Sequence, residues 1–201
     1  MKYPVLSGNE HLTFHADPLP QTTKDFWAWA RSRLLADGPR GDLAEFIVNT
    51  ALGCDTTNAK RGWGECDILY HGIRIEVKCS SVLQAWDRAT PTKPVFTISK
   101  TLKCDVQEGE NGYFYCGRDD QPPERRSELY VLCLFANPDR STADPLSMDQ
   151  WQFYVINTAT INERCGDNRS LSLAKIKRWG IQPCDYGNLK STIDRIVLTI
   201  S

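Results

Sequence analysis

The alternation of residues 65–80 constrains this chain more than any other stretch. About the dipeptide His71-Gly72, Ile68, Tyr70, Ile73, Ile75 and Val77 fall on one side of an extended ribbon, and Asp67, Glu76 and Lys78 fall on the other. A two-residue turn at that dipeptide pairs Tyr70 with Ile73 and Ile68 with Ile75. It sets Asp67 opposite Glu76, with Cβ atoms ~5 Å apart, and Lys78 opposite Glu65. One face is core-forming, broken only by the Cys66 thiol. Like charges opposed across two strands destabilise a sheet, so Asp67 and Glu76 call for a compensating cation, and Mg²⁺ or Mn²⁺ suits two carboxylates. The same residues can also be read as a solvated face on which Arg74, Glu65 and Lys78 form surface ion pairs worth ~0–1 kcal/mol each. The pattern alone leaves these two readings level.

Around this hairpin the chain reads as a mixed α/β domain. Residues 1–23, rich in Pro, Gly and His, form an irregular N-terminal arm. Thr22-Thr23-Lys24-Asp25 opens a helix that carries Phe26, Trp27, Trp29, Leu34 and Leu35 and stops at Asp37-Gly38-Pro39. A second helix is expected over 42–52, apolar nearly all round except for a stripe of Asp42, Glu45 and Asn49. Residues 95–98 alternate as a strand, and 100–126 are charged and broken by Gly, Asp and Pro, as befits a peripheral insertion with a strand at 113–115. The continuous apolar run 129–135 predicts a central buried strand, with 152–156 as its neighbour. A short basic helix over 170–179 closes at Gly180, and 193–198 is a final helix or strand.

Composition narrows the function classes. With 201 residues, 41% hydrophobic content and 24% charged, the chain can bury one substantial core, and a single domain spanning 1–201 is expected. No run long enough for a signal peptide or a membrane span occurs, which points to the cytoplasm and to no membrane partner. Eight cysteines are scattered without a Cys-x-x-Cys pair, so reduced thiols are expected rather than disulfides or structural zinc. A net charge of −1 gives no bulk attraction to nucleic acid, but a basic cleft can coexist with an acidic exterior.

Other residues are ambiguous by themselves. Asp42-x-x-Glu45 has the spacing of a helix-opening capping box, and on the pattern alone capping is the better account of Glu45, although its stripe could face the hairpin acids. Gln84 reads as a surface amide, and Trp63, Trp86 and Trp151 read as packing residues. Lys60, Arg61, Lys100, Lys103, Arg125 and Arg126, with Lys175, Lys177 and Arg178, are solvated cations one by one. Together they could line a phosphate groove.

Asp67 with Glu76-Val77-Lys78, preceded by a helix bearing Glu45, resembles the PD-(D/E)xK nuclease superfamily. The segments IRIEVKCSSVLQAW, DPLSMDQWQFYVINTATINER and SLSLAKIKRWG look like a group of bacterial restriction-endonuclease-like proteins, over roughly residues 40–180. Cys66 stands where the superfamily motif has proline. The resemblance implies a restriction-endonuclease-like core, a central mixed β-sheet flanked by helices. It implies that Asp67, Glu76 and the Val77 carbonyl hold Mg²⁺ or Mn²⁺, that Lys78 orients the attacking water and offsets phosphate charge, that Glu45 supports a metal-bound water or second ion, and that Gln84 is an auxiliary behind the lysine. The expected activity is metal-dependent endonucleolytic hydrolysis of DNA, leaving a 5′-phosphate and a 3′-hydroxyl, in restriction or phage defence. DNA is the expected partner, with room for a homodimer or a partner protein of a defence system. The alternatives are a non-catalytic nucleic-acid-binding or scaffold protein of the same fold, and a nuclease acting on RNA or branched DNA.

Overall fold

The computed structural model describes residues 5–57, 60, 66–86, 92–102, 104–109, 112–118 and 122–200, with the backbone alone for 104–109 and 112–118. A four-stranded sheet lies at its centre. The turn His71-Gly72 takes the left-handed conformation at both residues (φ 49° and 81°), whose twist matches that of the flanking strands. It joins β3 (Ile68–Tyr70) to β4 (Ile73–Ser81) in the register expected from the sequence, Ile68 beside Ile75 and Tyr70 beside Ile73. Strand β4 pairs in parallel with β8 (Leu129–Phe135), and β8 pairs antiparallel with β9 (Trp151–Asn157), so the sheet is mixed, in the order β3-β4-β8-β9. Every residue of β8 is buried, as its unbroken apolar run requires of a strand covered on both faces.

Alternation sends Ile75, Val77, Val131, Cys133, Phe135, Trp151, Phe153 and Val155 to one face. There they pack against α2 (Asp37–Leu52) and α5 (Tyr186–Ile200). Tyr130, Leu132, Leu134, Tyr154 and Ile156 face the other way, onto α3 (Thr158–Cys165), α4 (Leu173–Arg178) and the small pair of β5 (Val95–Thr97) with β10 (Ser170–Ser172). The described residues therefore form an α/β fold with helices on both faces of a mixed sheet. No helix among them is long and apolar enough to cross a membrane.

Five elements differ from the sequence expectation. The arm is not irregular: β1 (His11–Phe14) and β2 (Asp17–Thr22) form a hairpin ahead of α1 (Thr23–Arg31), whose Thr22–Asp25 capping box is in place but which stops at Arg31, short of the expected Leu34 and Leu35. Helix α2 starts at Asp37 rather than Asp42 and runs through Gly38, Pro39 and Gly41. Pro39 is tolerated because the first-turn N–H groups of a helix have no intrahelical acceptor. The segment expected as one basic helix at 170–179 divides into β10 and α4, because Ser172, the last residue of the ladder, caps the helix by accepting the Lys175 N–H. Helix α3, which no sequence signal announced, is capped by Asn157. Within 100–126, β6 (Cys104–Gly109) and β7 (Gly112–Arg118) pair with each other and, among the described residues, with no other strand, and a Thr101–Glu124 bridge closes the base of this excursion.

Six cysteines, Cys54, Cys66, Cys79, Cys133, Cys165 and Cys184, are not in disulfides. The side chains of Cys104 and Cys116 lie outside the described residues. Burial pushes the Cys79 thiol up to about 11 and Cys133 well above its ordinary value, so both behave as small apolar residues.

Candidate active site

The hairpin ladder ends at Ile68, and the next position along it is where the chemistry gathers. In a cross-strand ladder the Val77 amide would meet the Cys66 carbonyl. Asp67 instead sits in a bend before β3, and its Oδ2 accepts the Val77 N–H at 2.7 Å. Asp67 is therefore not the plain cross-strand partner of Glu76 that the alternation implied; its carboxylate takes the place of a strand. Because N–H and C=O of one strand residue point the same way, the Val77 carbonyl is directed to this same edge.

Lys78 joins the two acids. Its Nζ lies 2.5 Å from Glu76 Oε1 and 3.8 Å from Asp67 Oδ2, with all three side chains about a quarter to a third exposed. Lys78 thus offers one positive charge to the two opposed carboxylates. Burial alone would lower the Lys78 pKa, but Glu76 and Asp67 outweigh it and hold the ammonium above its ordinary value. Burial raises the Asp67 carboxyl, and Glu76 pushes it further in the same direction.

Helix α2 brings in Glu45. Since α2 begins five residues before Asp42, the capping-box account fails: Asp42 is inside the helix and Glu45 bonds no N-terminal amide. Its oxygens accept from Lys60 Nζ at 2.9 and 2.8 Å, and the same ammonium reaches Asp42 Oδ1 at 2.8 Å. The Glu45 side chain is only 17% exposed. Burial raises its pKa, Lys60 opposes the rise, and the charge of Asp67 adds to it. Glu45 in turn helps to hold the Lys78 ammonium. Asp67, Glu76, Lys78 and Glu45 therefore form one electrostatically coupled group, with Lys60 at its edge.

Two members went unseen in the sequence. Ser127 donates its hydroxyl to Glu76 Oε2 at 3.2 Å. Tyr130 stands beside Glu76 in the parallel ladder, its phenol pushed up to about 12 by burial and then by Glu76. The β4–β8 register brings both to the acids across about fifty residues, and no local signal encodes it.

Other expected site residues are placed elsewhere. The Gln84 amide donates to the Ser81 carbonyl at 3.4 Å, and among the described residues no bond joins it to the acids. Trp86 is half exposed rather than packed, whereas Trp151 is buried. Arg125, expected at a phosphate groove, is buried. Its Nε donates to the Ile98 carbonyl at 2.7 Å, Nη1 to Asn162 Oδ1 at 2.7 Å and the Gly166 carbonyl at 3.0 Å, and Nη2 to the Asn168 carbonyl at 2.9 Å. It clamps β5 to α3 and cannot reach a phosphate from there. Arg126 pairs with Glu124, Lys100 pairs with Asp167, and Lys175 lies over the Trp179 ring. Arg61, Trp63, Glu65 and Lys103 lie outside the described residues.

The chain matches no protein-family model, no curated protein and no solved structure.

The raised Asp67 carboxyl has a pH consequence. A carboxyl whose pKa is higher folded than unfolded binds more protons in the folded state, so its ionisation costs stability as pH rises through and above the ordinary carboxylate range. Asp67→Asn removes that cost. In chelator, denaturant unfolding of parent and variant should give nearly equal stabilities near about pH 4 and a relative gain for the variant by about pH 7. A gap that closes or reverses toward neutrality would show that Lys78 and the Val77 amide over-compensate the charge.

Proposed function

We propose that this protein is a metal-dependent nuclease of restriction-endonuclease-like architecture that hydrolyses DNA phosphodiester bonds. The observation that supports the reading best is the Lys78 ammonium held between Glu76 and Asp67 at the edge where Val77 leaves the ladder, with Glu45 coupled to them. Two carboxylates and a main-chain carbonyl are the hard oxygen donors that Mg²⁺ or Mn²⁺ takes while keeping several waters. Among the described residues no three His, Cys, Asp or Glu side chains converge on one point, so water would complete the shell. When bound, the ion supplies positive charge for the non-bridging phosphate oxygens and acidifies a water.

The chain's own groups would do the rest. Asp67 and Glu76 would hold the ion, Asp67 being fixed by the Val77 amide and Glu76 by Ser127. Lys78, relieved of Glu76 once the carboxylate charge is met from elsewhere, can turn to the phosphate and orient the attacking water. Glu45, whose pKa burial raises against the pull of Lys60, can receive that water's proton.

Incubation of the protein with plasmid, single-stranded DNA and RNA, each with Mg²⁺, Mn²⁺ or chelator, tests the reading. Metal-dependent cutting of DNA is expected. Metal binding with no cutting of any nucleic acid would favour a binding or scaffold protein, and cutting of RNA alone would move the substrate class. Glu45→Gln separates the helix acid's roles: cleavage should fall at least ~100-fold while thermal stability barely moves. An unchanged rate would make Glu45 an anchor for Lys60 and nothing more.

A further inference from the structure

The N-terminal module has no interior. In β1, β2 and α1 no residue is buried, although this short stretch carries Leu12, Phe14, Leu19, Phe26, Trp27 and Trp29 at 51, 64, 37, 54, 39 and 84% exposure. Phe14 stands opposite Asp17 in the hairpin, the register shifts at Leu12, and Phe26 and Trp29 lie one turn apart on α1. The hairpin turn adds strain, since His15 and Ala16 both take the left-handed conformation (φ 49° and 71°) without being glycine. A lone two-stranded hairpin is marginal in water, and this one orders its backbone without burying a side chain in return. An ion pair of Arg31 with Asp42 at 2.7 Å, itself about half exposed, joins α1 to α2.

We infer that this module is a homodimer interface, completed by the same module of a second copy of the chain. Three observations select that occupant. Phe14, Phe26 and Trp29 alone leave on the order of 400 Å² in water, about half of the ~800 Å² that each partner of a stable complex covers. Strand β1 has an open edge free of proline, while β2 carries Pro18 and Pro20. An antiparallel pairing of β1 with its own copy is self-complementary about a two-fold axis, as a closed dimer requires. Residues 5–31 carry Lys24 and Arg31 against Glu10, Asp17 and Asp25, a net charge of −1. That repels a second copy little and offers nothing to a nucleic-acid backbone. The inference is independent of the nuclease reading.

The test is sedimentation velocity and light scattering of the full chain from about 1 to 100 µM, beside Phe14→Ser/Trp29→Ser. Both side chains are mostly in solvent, so the core keeps its packing. The parent should be a dimer across most of that range, and the variant should associate at least ~30-fold more weakly. Hydrogen exchange at the β1 amides should be slow in the dimer and fast in the variant. Should that variant precipitate, Phe26→Ser/Trp29→Ser makes the same comparison from the helix alone. A parent that is monomeric at about 100 µM, or a variant that dimerises as tightly as the parent, overturns the inference.

Discussion

Asp67→Asn and Glu76→Gln are each expected to lower DNA cleavage at least ~1,000-fold, and to remove the thermal stabilisation that millimolar Mg²⁺ or Mn²⁺ confers on the parent. The two measurements carry different information. Metal stabilisation reports whether these acids hold an ion; cleavage reports whether the ion is used. Lys78→Met should separate them in the opposite sense. It removes the ammonium that competes for the same carboxylates, so metal affinity should hold or rise, while cleavage should fall at least ~100-fold. In chelator Lys78→Met should also lose stability, by about 1–2 kcal/mol, because Glu76 and Asp67 are left together without a cation. That penalty should shrink when metal is restored. If neither the parent nor any variant responds to metal, the ion pairs are simply the hairpin's own charge balance and the nuclease proposal fails.

Arg125→Met should cost about 3–4 kcal/mol and lower the melting temperature by roughly 10 °C. Methionine fills much of the side-chain volume but donates nothing, so the carbonyls of Ile98, Gly166 and Asn168 and the Asn162 side chain all lose a charge-assisted donor in a buried place. Lys100→Met provides the contrast. Its pair with Asp167 is exposed, and its loss should change stability by about 0.5 kcal/mol or less. Calorimetry of the two variants decides between a structural clamp and a phosphate contact: an Arg125 variant that melts with the parent yet binds nucleic acid more weakly would return that residue to a phosphate groove.

Much of the central scaffold was written locally. The two-residue turn, the alternation around it and the unbroken apolar run of β8 each follow from periods of two and from which residues tolerate burial, and those forces act within a few positions of chain. The same local logic misled at α2. Asp42-x-x-Glu45 has capping-box spacing, but the start of a helix is decided by where its apolar face finds cover. Packing of Leu35 and Ala44 against the sheet layer draws the start back to Asp37 and frees Glu45 to turn toward the acids. The arm misled in the other direction, because a hairpin without a core leaves no pattern of buried alternation to read.

The sequence by itself determined the hairpin, its register and the presence of two acids and a lysine on one side of it, since neighbouring positions carry all of that. The structure decided that Asp67 caps the Val77 amide instead of extending the ladder, that the Lys78 ammonium reaches both acids, that Ser127 and Tyr130 stand against Glu76, and that Arg125 is a clamp. The first two turn on where the β3–β4 ladder stops, which alternation does not mark. Ser127 and Tyr130 depend on the β4–β8 register and Arg125 on how α3 lies against the sheet, contacts between residues far apart in the chain whose geometry comes from packing the whole core at once.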